Sequence, residues 1–289
     1  MAGMNDWVAG ARPRTLGTSV SPVVVGSAAA SAVGGFDLQA AIVALGVAAS
    51  LQIASNYAND YADGIRGTDL NRLGPERLVA SGRATPSEVK RAAYAAFAVA
   101  AVLGLYLTLI SAQLWLIPVG VIAIVAAWMY TASSRPYGYS GWGELSVFIF
   151  FGPVAVLGTM LTQADQVTWW AATAACGVGL WACALLLINN IRDLEGDALV
   201  GKRTLAVRLG DFRARQAFAA IVMLPVLFAI VTGFAHPWAL LAVLTAAPSV
   251  FFAVAMRLGP TGLALRPFFN GVSLTGLVYG LLLALGIAI

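Results

Sequence analysis

Residues 38–69 read LQAAIVALGVAASLQIASNYANDYADGIRGTD, and this stretch decides how the rest of the chain is understood. Residues 38–58 carry no charged side chain, and about 20 such residues are enough to span a hydrocarbon core of roughly 30 Å. Asp60, Asp63 and Asp69 then follow in quick succession. The segment therefore reads as a membrane span that delivers a cluster of carboxylates to one surface of the bilayer.

The same apolar signature recurs along the chain. Of 289 residues 60% are apolar and 10% are charged, against about 25% charged in an ordinary soluble domain. The mean hydropathy is +0.84. One soluble core could not hide this much apolar surface. Nine runs are long enough to span: 16–34, 38–58, 88–110, 113–132, 142–163, 167–190, 214–234, 237–257 and 267–288. Reading the first run as a signal peptide would discard the "ARPRT" segment at 11–15, so it is read as a span. The predicted fold is all-α: one polytopic domain over 1–289, with nine transmembrane helices.

Charge placement orients it. All 17 Lys and Arg lie at the N-terminus or in and beside the connections after runs two, four, six and eight. The other connections hold none. The positive-inside rule places the N-terminus and the basic connections in the cytoplasm, which implies a multi-pass protein of the cell membrane. The basic residues form no tail or stripe, so the pI near 9.3 does not point to nucleic acid. Cys176 and Cys183 share one apolar run without metal or redox spacing. His236, the only histidine, precedes Pro237 in a loop, so a histidine metal site is excluded.

The connections after runs two and six, 59–87 and 191–213, hold eight of the 13 acids. Asn56, Asp60 and Asp63 fall on one helical stripe, as do Asn189, Asp193 and Asp197. Each stripe is followed by Gly and by basic residues, so the two look like diverged copies of one unit, with Gly64 and Gly67 releasing the first chain from its helix. Acids at a helix C-terminus face the negative pole of its dipole and repel one another. A divalent cation removes that conflict. Mg²⁺ takes one or two carboxylates and fills its remaining positions with water and phosphate oxygens. Two facing sites, Asp60 with Asp63 and Asp193 with Asp197, would clamp a diphosphate and stabilise charge on it as it departs. Asn56 and Asn189 assist. Arg66, Arg77, Lys202 and Arg203 supply donors to the same oxygens.

"NDYADGIRGTD" (59–69), "DLEGD" (193–197) and "RLVASG" (77–82) resemble the motifs of the UbiA superfamily of intramembrane prenyltransferases. Gly67 stands where that family carries a third Asp, and Asp69 comes two residues later. "GARPRTL" (10–16), "GWGELSVFIFFGPVAVLGT" (141–159) and "NNIRDLEGDALVGKRTLAVRLG" (189–210) are most similar to the branch acting on 1,4-dihydroxy-2-naphthoate in menaquinone synthesis. The resemblance implies that the nine helices surround a central cavity. It implies Mg²⁺ as cofactor and polyprenyl diphosphate and 1,4-dihydroxy-2-naphthoate as substrates, with CO₂ lost. It implies that Arg12 or Arg14 meets the acceptor's carboxylate. Arg135, Tyr130, Tyr137 and Tyr139 are candidates to lie over the cavity, and any of these rings would suit a carbocation. Glu144 borders the same connection, and Asn190 and Arg192 are weaker candidates that also fit a capping role. The polyprenyl tail would lie among membrane lipids. A secondary transporter is the rival from another class, but its ion sites belong near the midplane, and the acids here sit at the ends of runs or between them. Prenylation of 4-hydroxybenzoate or homogentisate is the enzymatic alternative.

Overall fold

The computed structural model describes residues 2–68 and 76–289, and among these there is no β-strand. A short helix α1 (Met4–Ala11) and a 3₁₀ turn (Pro13–Thr15) lead into α2 (Gly17–Ala32). Then come α3 (Leu38–Arg66), α4 (Pro86–Ile110) and α5 (Ile117–Thr131). Helices α6 (Gly143–Ile149) and α7 (Ala155–Ala164) form one span joined by a π turn at Phe150–Val154. Helices α8 (Trp169–Arg192), α9 (Leu194–Leu199) and α10 (Leu205–Gly233) follow, then a 3₁₀ stretch (Pro237–Thr245) continued by α11 (Ala246–Arg257), and α12 (Arg266–Ala288).

Eight helical segments of the described chain are long and apolar enough to cross a membrane, against the nine expected. The difference is α2. Its 16 residues make about 24 Å at 1.5 Å per residue, short of a roughly 30 Å core. The 3₁₀ turn before it and the loss of helix at Val33 set that length.

Local chemistry starts and stops these helices. Asp37 caps α3 by accepting the Ala40 N–H at 2.9 Å. Thr85 and Glu88 form a reciprocal capping box ahead of α4, with Pro86 in its first turn. The second expected span was to end at 58, yet α3 runs on to Arg66 and stops only at Gly67, whose φ of 68° an L side chain resists. Asp60 and Asp63 therefore stand on one helix, as their spacing implied, and Gly64, expected to release the chain, is inside that helix. In the second half, Asp193 ends α8 and opens the six-residue α9. The expected loop 191–213 thus contains a helix and the start of α10, which kinks at Gly210 (φ 74°, ψ 162°) before spanning.

Helix α8 is the central post: 72% of its apolar window is buried, against 11% for the span ending in α5. It packs against α10, α12 and α6, while α3 pairs with α4 and α2 with α12 and α7. Val99, Val102 and Leu109 of α4 and Ile122 of α5 face outward, half exposed or more. For a chain of this composition, that outer layer is the lipid-facing surface. Between α3, α4, α5, the α6–α7 span and α8 lies a cavity of about 1280 Å³.

Candidate active site

The polar end of that cavity is built by α3 and α8. Asn56, Asn59 and Asp63 project from α3, one helical turn apart, and all line it. Asn189, Arg192 and Asp193 from the end of α8 and Asp197 from α9 line it from the other side.

Asp63 is the hub. It is 4% exposed. Its Oδ1 accepts from the Tyr139 hydroxyl, from Thr68 Oγ1 at 3.2 Å and from Lys202 Nζ at 3.1 Å. Its Oδ2 faces Arg77 Nη2 at 3.5 Å. Lys202 also reaches Asp197 Oδ1 at 3.8 Å, so one ammonium joins the carboxylates of the two helical units. The Tyr139 ring stands 4.6 Å beneath that ammonium and 5.4 Å from the Arg66 guanidinium. Burial, and then the charge of Asp63, hold the Tyr139 phenol well above its ordinary value, so it keeps its proton and remains a donor. The Tyr139 carbonyl accepts the Arg203 N–H at 2.8 Å, which ties the 137–140 turn to the loop carrying Lys202. On the other side, Arg192 grips Asp193 through both carboxylate oxygens, at 2.8 and 2.6 Å.

This donor set fits a hard divalent cation. Asp63 and Asp197 come close enough to share one cationic group, which Lys202 demonstrates. Among the described residues no three His, Cys, Asp or Glu side chains cluster as a self-sufficient metal site.

The N-terminal segment also reaches the site. Arg12 lines the cavity, and its backbone is left-handed (φ 56°) immediately before Pro13. A non-glycine residue there carries strain of about 1–2 kcal/mol. Two bonds hold it: Asn56 Nδ2 donates to Ala11 O at 2.9 Å, and Thr15 Oγ1 donates to Arg12 O at 2.9 Å. Arg14, by contrast, is exposed and outside the cavity lining.

Of the other residues expected at the site, Asn189, Tyr130 and Tyr137 line the cavity, but Arg66 and Arg135 do not. Arg66 instead donates to the carbonyls of Thr131 and Ser133, capping the end of α5. Arg135 is exposed. Asp60 is 1% exposed, does not line the cavity, and accepts backbone N–H groups from the 77–82 segment. Asp69 lies outside the described residues. Asn190 lines the cavity and donates to Glu144 Oε1 at 2.9 Å. Asn59 was not singled out from the sequence. It lines the cavity and accepts from Thr131 Oγ1, and its place at the head of "NDYAD", one turn before Asp63, was the available signal.

Fold and site together define a polytopic membrane protein with a paired-carboxylate polar chamber at the end of a long apolar cavity. The chain belongs to the UbiA prenyltransferase family, whose model matches residues 19–286. The 1,4-dihydroxy-2-naphthoate octaprenyltransferase of Mycobacterium tuberculosis is 46% identical over 284 residues, spanning 98% of this chain and 97% of that protein. The enzyme of the same name from Escherichia coli is 39% identical over 223 residues, spanning 75% of this chain and 72% of that protein. Among solved structures, a UbiA homologue from Archaeoglobus fulgidus bound to GPP and Mg²⁺ superimposes with a TM-score of 0.67 at 16% identity, over 98% of this chain and 100% of that one. An apo homologue from Aeropyrum pernix K1 gives 0.70 at 20% identity, over 93% and 96%. These likenesses establish the fold.

Proposed function

We propose that this chain, acting as one catalytic domain, transfers a polyprenyl group from its diphosphate to 1,4-dihydroxy-2-naphthoate with loss of CO₂, giving the demethylmenaquinol of menaquinone biosynthesis. The observation that carries the reading is the hub at Asp63, where two helical units, two cations and a phenol converge at the end of a cavity of about 1280 Å³. That volume exceeds the roughly 300–1,000 Å³ of ordinary small-molecule sites and suits a long isoprenoid tail. The likeness to dihydroxynaphthoate octaprenyltransferases supports the choice of acceptor.

Asp63, Asp193 and Asp197, with Asn56, Asn59 and Asn189 beside them, would hold Mg²⁺. The metal would supply positive charge to the diphosphate as it leaves. The protein's own part is as follows. Arg77, Lys202 and Arg192 stand where the phosphate oxygens gain charge when the allylic carbon–oxygen bond breaks. Phe150, Phe151 and Tyr130 line the cavity and keep water from the allylic cation. Arg12, held in its strained turn, faces the acceptor's carboxylate. The electron-rich ring attacks the cation at the carboxylate-bearing carbon. The carbon–carboxylate bond then breaks, its electron pair restores the aromatic ring, and CO₂ departs, so no protein base is needed. By the positive-inside rule, this end of the cavity would face the cytoplasm.

Purified protein with Mg²⁺ and one polyprenyl diphosphate should prenylate 1,4-dihydroxy-2-naphthoate and leave 4-hydroxybenzoate and homogentisate nearly untouched. EDTA should abolish turnover and Mg²⁺ restore it. Efficient use of 4-hydroxybenzoate, or turnover indifferent to EDTA, would overturn the reading.

A further inference from the structure

Asp60 sits one helical turn before Asp63, yet it does something different. Its Oδ2 accepts the Leu78 N–H at 2.8 Å and its Oδ1 accepts the Val79 N–H at 3.0 Å. Both oxygens are thus engaged by consecutive backbone donors of residues 77–82. That segment is itself a compact turn, closed by Ser81 N–H to Arg77 O at 3.0 Å and Ala84 N–H to Leu78 O at 3.1 Å. It is seated by packing as well. Val79 lies against Gly64 of α3 so closely that a Cβ at 64 would fall within its side chain. Leu78 is 3% exposed and packs in one apolar cluster with Tyr57 and Ala58. The next residue back, Arg77, lines the cavity and reaches Asp63 at 3.5 Å.

A carboxylate is what this position requires. Two adjacent N–H groups need two acceptor atoms, and a charged acceptor makes each bond roughly twice as strong as a neutral one. An asparagine would turn its own NH₂ toward one of the two donors. If Asp60 ligated a cation, the 77–82 turn would lose its anchor, and Asp60 does not line the cavity.

We propose that Asp60 is a positioning residue and not a cation ligand: with Gly64 it forms a dock on α3 that seats residues 77–82 and so delivers the Arg77 guanidinium to the diphosphate. This rests on reading the Asp63 chamber as a prenyl-diphosphate site. The two are tested separately.

The full chain, purified in detergent, is compared as wild type, Asp60→Asn, Asp63→Asn, Arg77→Ala and Asp60→Asn/Arg77→Ala. The first measurement is amide exchange without ligand. Asp60→Asn should speed exchange across 77–82 by about tenfold or more, and Asp63→Asn should not. The second is affinity for farnesyl S-thiolodiphosphate across a Mg²⁺ titration. Asp60→Asn should weaken it about as much as Arg77→Ala, by roughly tenfold. The double variant should be no worse than Arg77→Ala alone, since the two act through one contact. Raising Mg²⁺ should recover analogue affinity, though not turnover, in Asp63→Asn and should leave the affinity of Asp60→Asn unrecovered. Recovery of Asp60→Asn by Mg²⁺, multiplying losses in the double variant, or unchanged exchange at 77–82 would each overturn the proposal. Should Asp60→Asn not fold, Gly64→Ala serves: it should show the same exchange and affinity defects, and Val79→Ala added to it should restore both. Failure of that rescue also counts against the dock. If the wild-type protein does not bind the diphosphate analogue at all, the reading of the chamber fails, while the ligand-free exchange comparison still decides the role of Asp60.

Discussion

The two acidic units share a pattern in the sequence but not a construction. On α3 the helix runs unbroken through Asn56, Asn59, Asp60 and Asp63 to Arg66, and both acids are buried. On α8 the helix ends at Asp193, and Asp197 stands on the separate short helix α9, with each carboxylate 14% exposed. The first unit is held from three directions, by the 77–82 turn, by Tyr139 and by Lys202. Among the described residues, the second is held by Arg192 and by the loop that carries Lys202. The carboxylate at the centre of the first half-site is the more deeply buried, at 6% exposure against 14% in the second. Lys202, which belongs to the second and touches the hub of the first, couples them.

That contrast orders the expected effects of substitution. Asp63→Asn should reduce turnover most, on the order of 10³-fold, because it disturbs every donor at the hub. Asp193→Asn should reduce it by about 10²-fold, since its carboxylate is less buried than that of Asp63. Equal losses, measured as kcat/KM with saturating Mg²⁺, would erase the proposed asymmetry. Lys202→Met should come next. Its main effect should be a rise of roughly tenfold in the KM for prenyl diphosphate, comparable to loss of a charge-assisted bond. A change confined to the acceptor KM would instead detach Lys202 from the diphosphate.

The N-terminal arginines sharpen the comparison from outside the hub. Arg12→Ala should raise the acceptor KM by about tenfold, whereas Arg14→Ala should stay within about twofold of wild type. The reverse order would mean that the strained turn at Arg12 serves another purpose. Tyr139→Phe should have the smallest effect, about threefold, because the ring and its cations remain. Burial and the charge of Asp63 keep that phenol protonated, so Tyr139→Phe and wild type should share the same alkaline limb in a pH–rate profile. A limb that disappears in the variant would show that the phenol titrates there.

Much of this was legible in the sequence because it follows from solvent preference. Long uncharged runs, basic connections on one side and two acidic stripes led to an all-helical membrane fold with a polar chamber between two units. What escaped were facts of tertiary contact. Asp60 and Asp63 were expected on a helical stripe, but with the helix released at Gly64, whereas α3 continues to Arg66. Their partners lie up to 139 residues away, as Lys202 does from Asp63. Asp60 and Asp63 have the same side chain on the same helix, and their distant partners distinguish them: the Leu78 and Val79 N–H groups for Asp60, Tyr139 and Lys202 for Asp63. Arg12 and Arg14 are likewise equivalent by composition, and the backbone turn between α1 and α2 separates them. The first run overestimated α2 because its apolar residues continue beyond Ala32 while its helix does not.

The most direct test of the account uses 1,4-dihydroxy-2-naphthoate labelled in its carboxyl carbon, with purified protein, Mg²⁺ and a polyprenyl diphosphate. The account predicts that label leaves as CO₂ in step with formation of unlabelled prenylated product, one for one. Prenylated product that retains its carboxyl label, or no prenylation of this acceptor under conditions where 4-hydroxybenzoate is used, would contradict it.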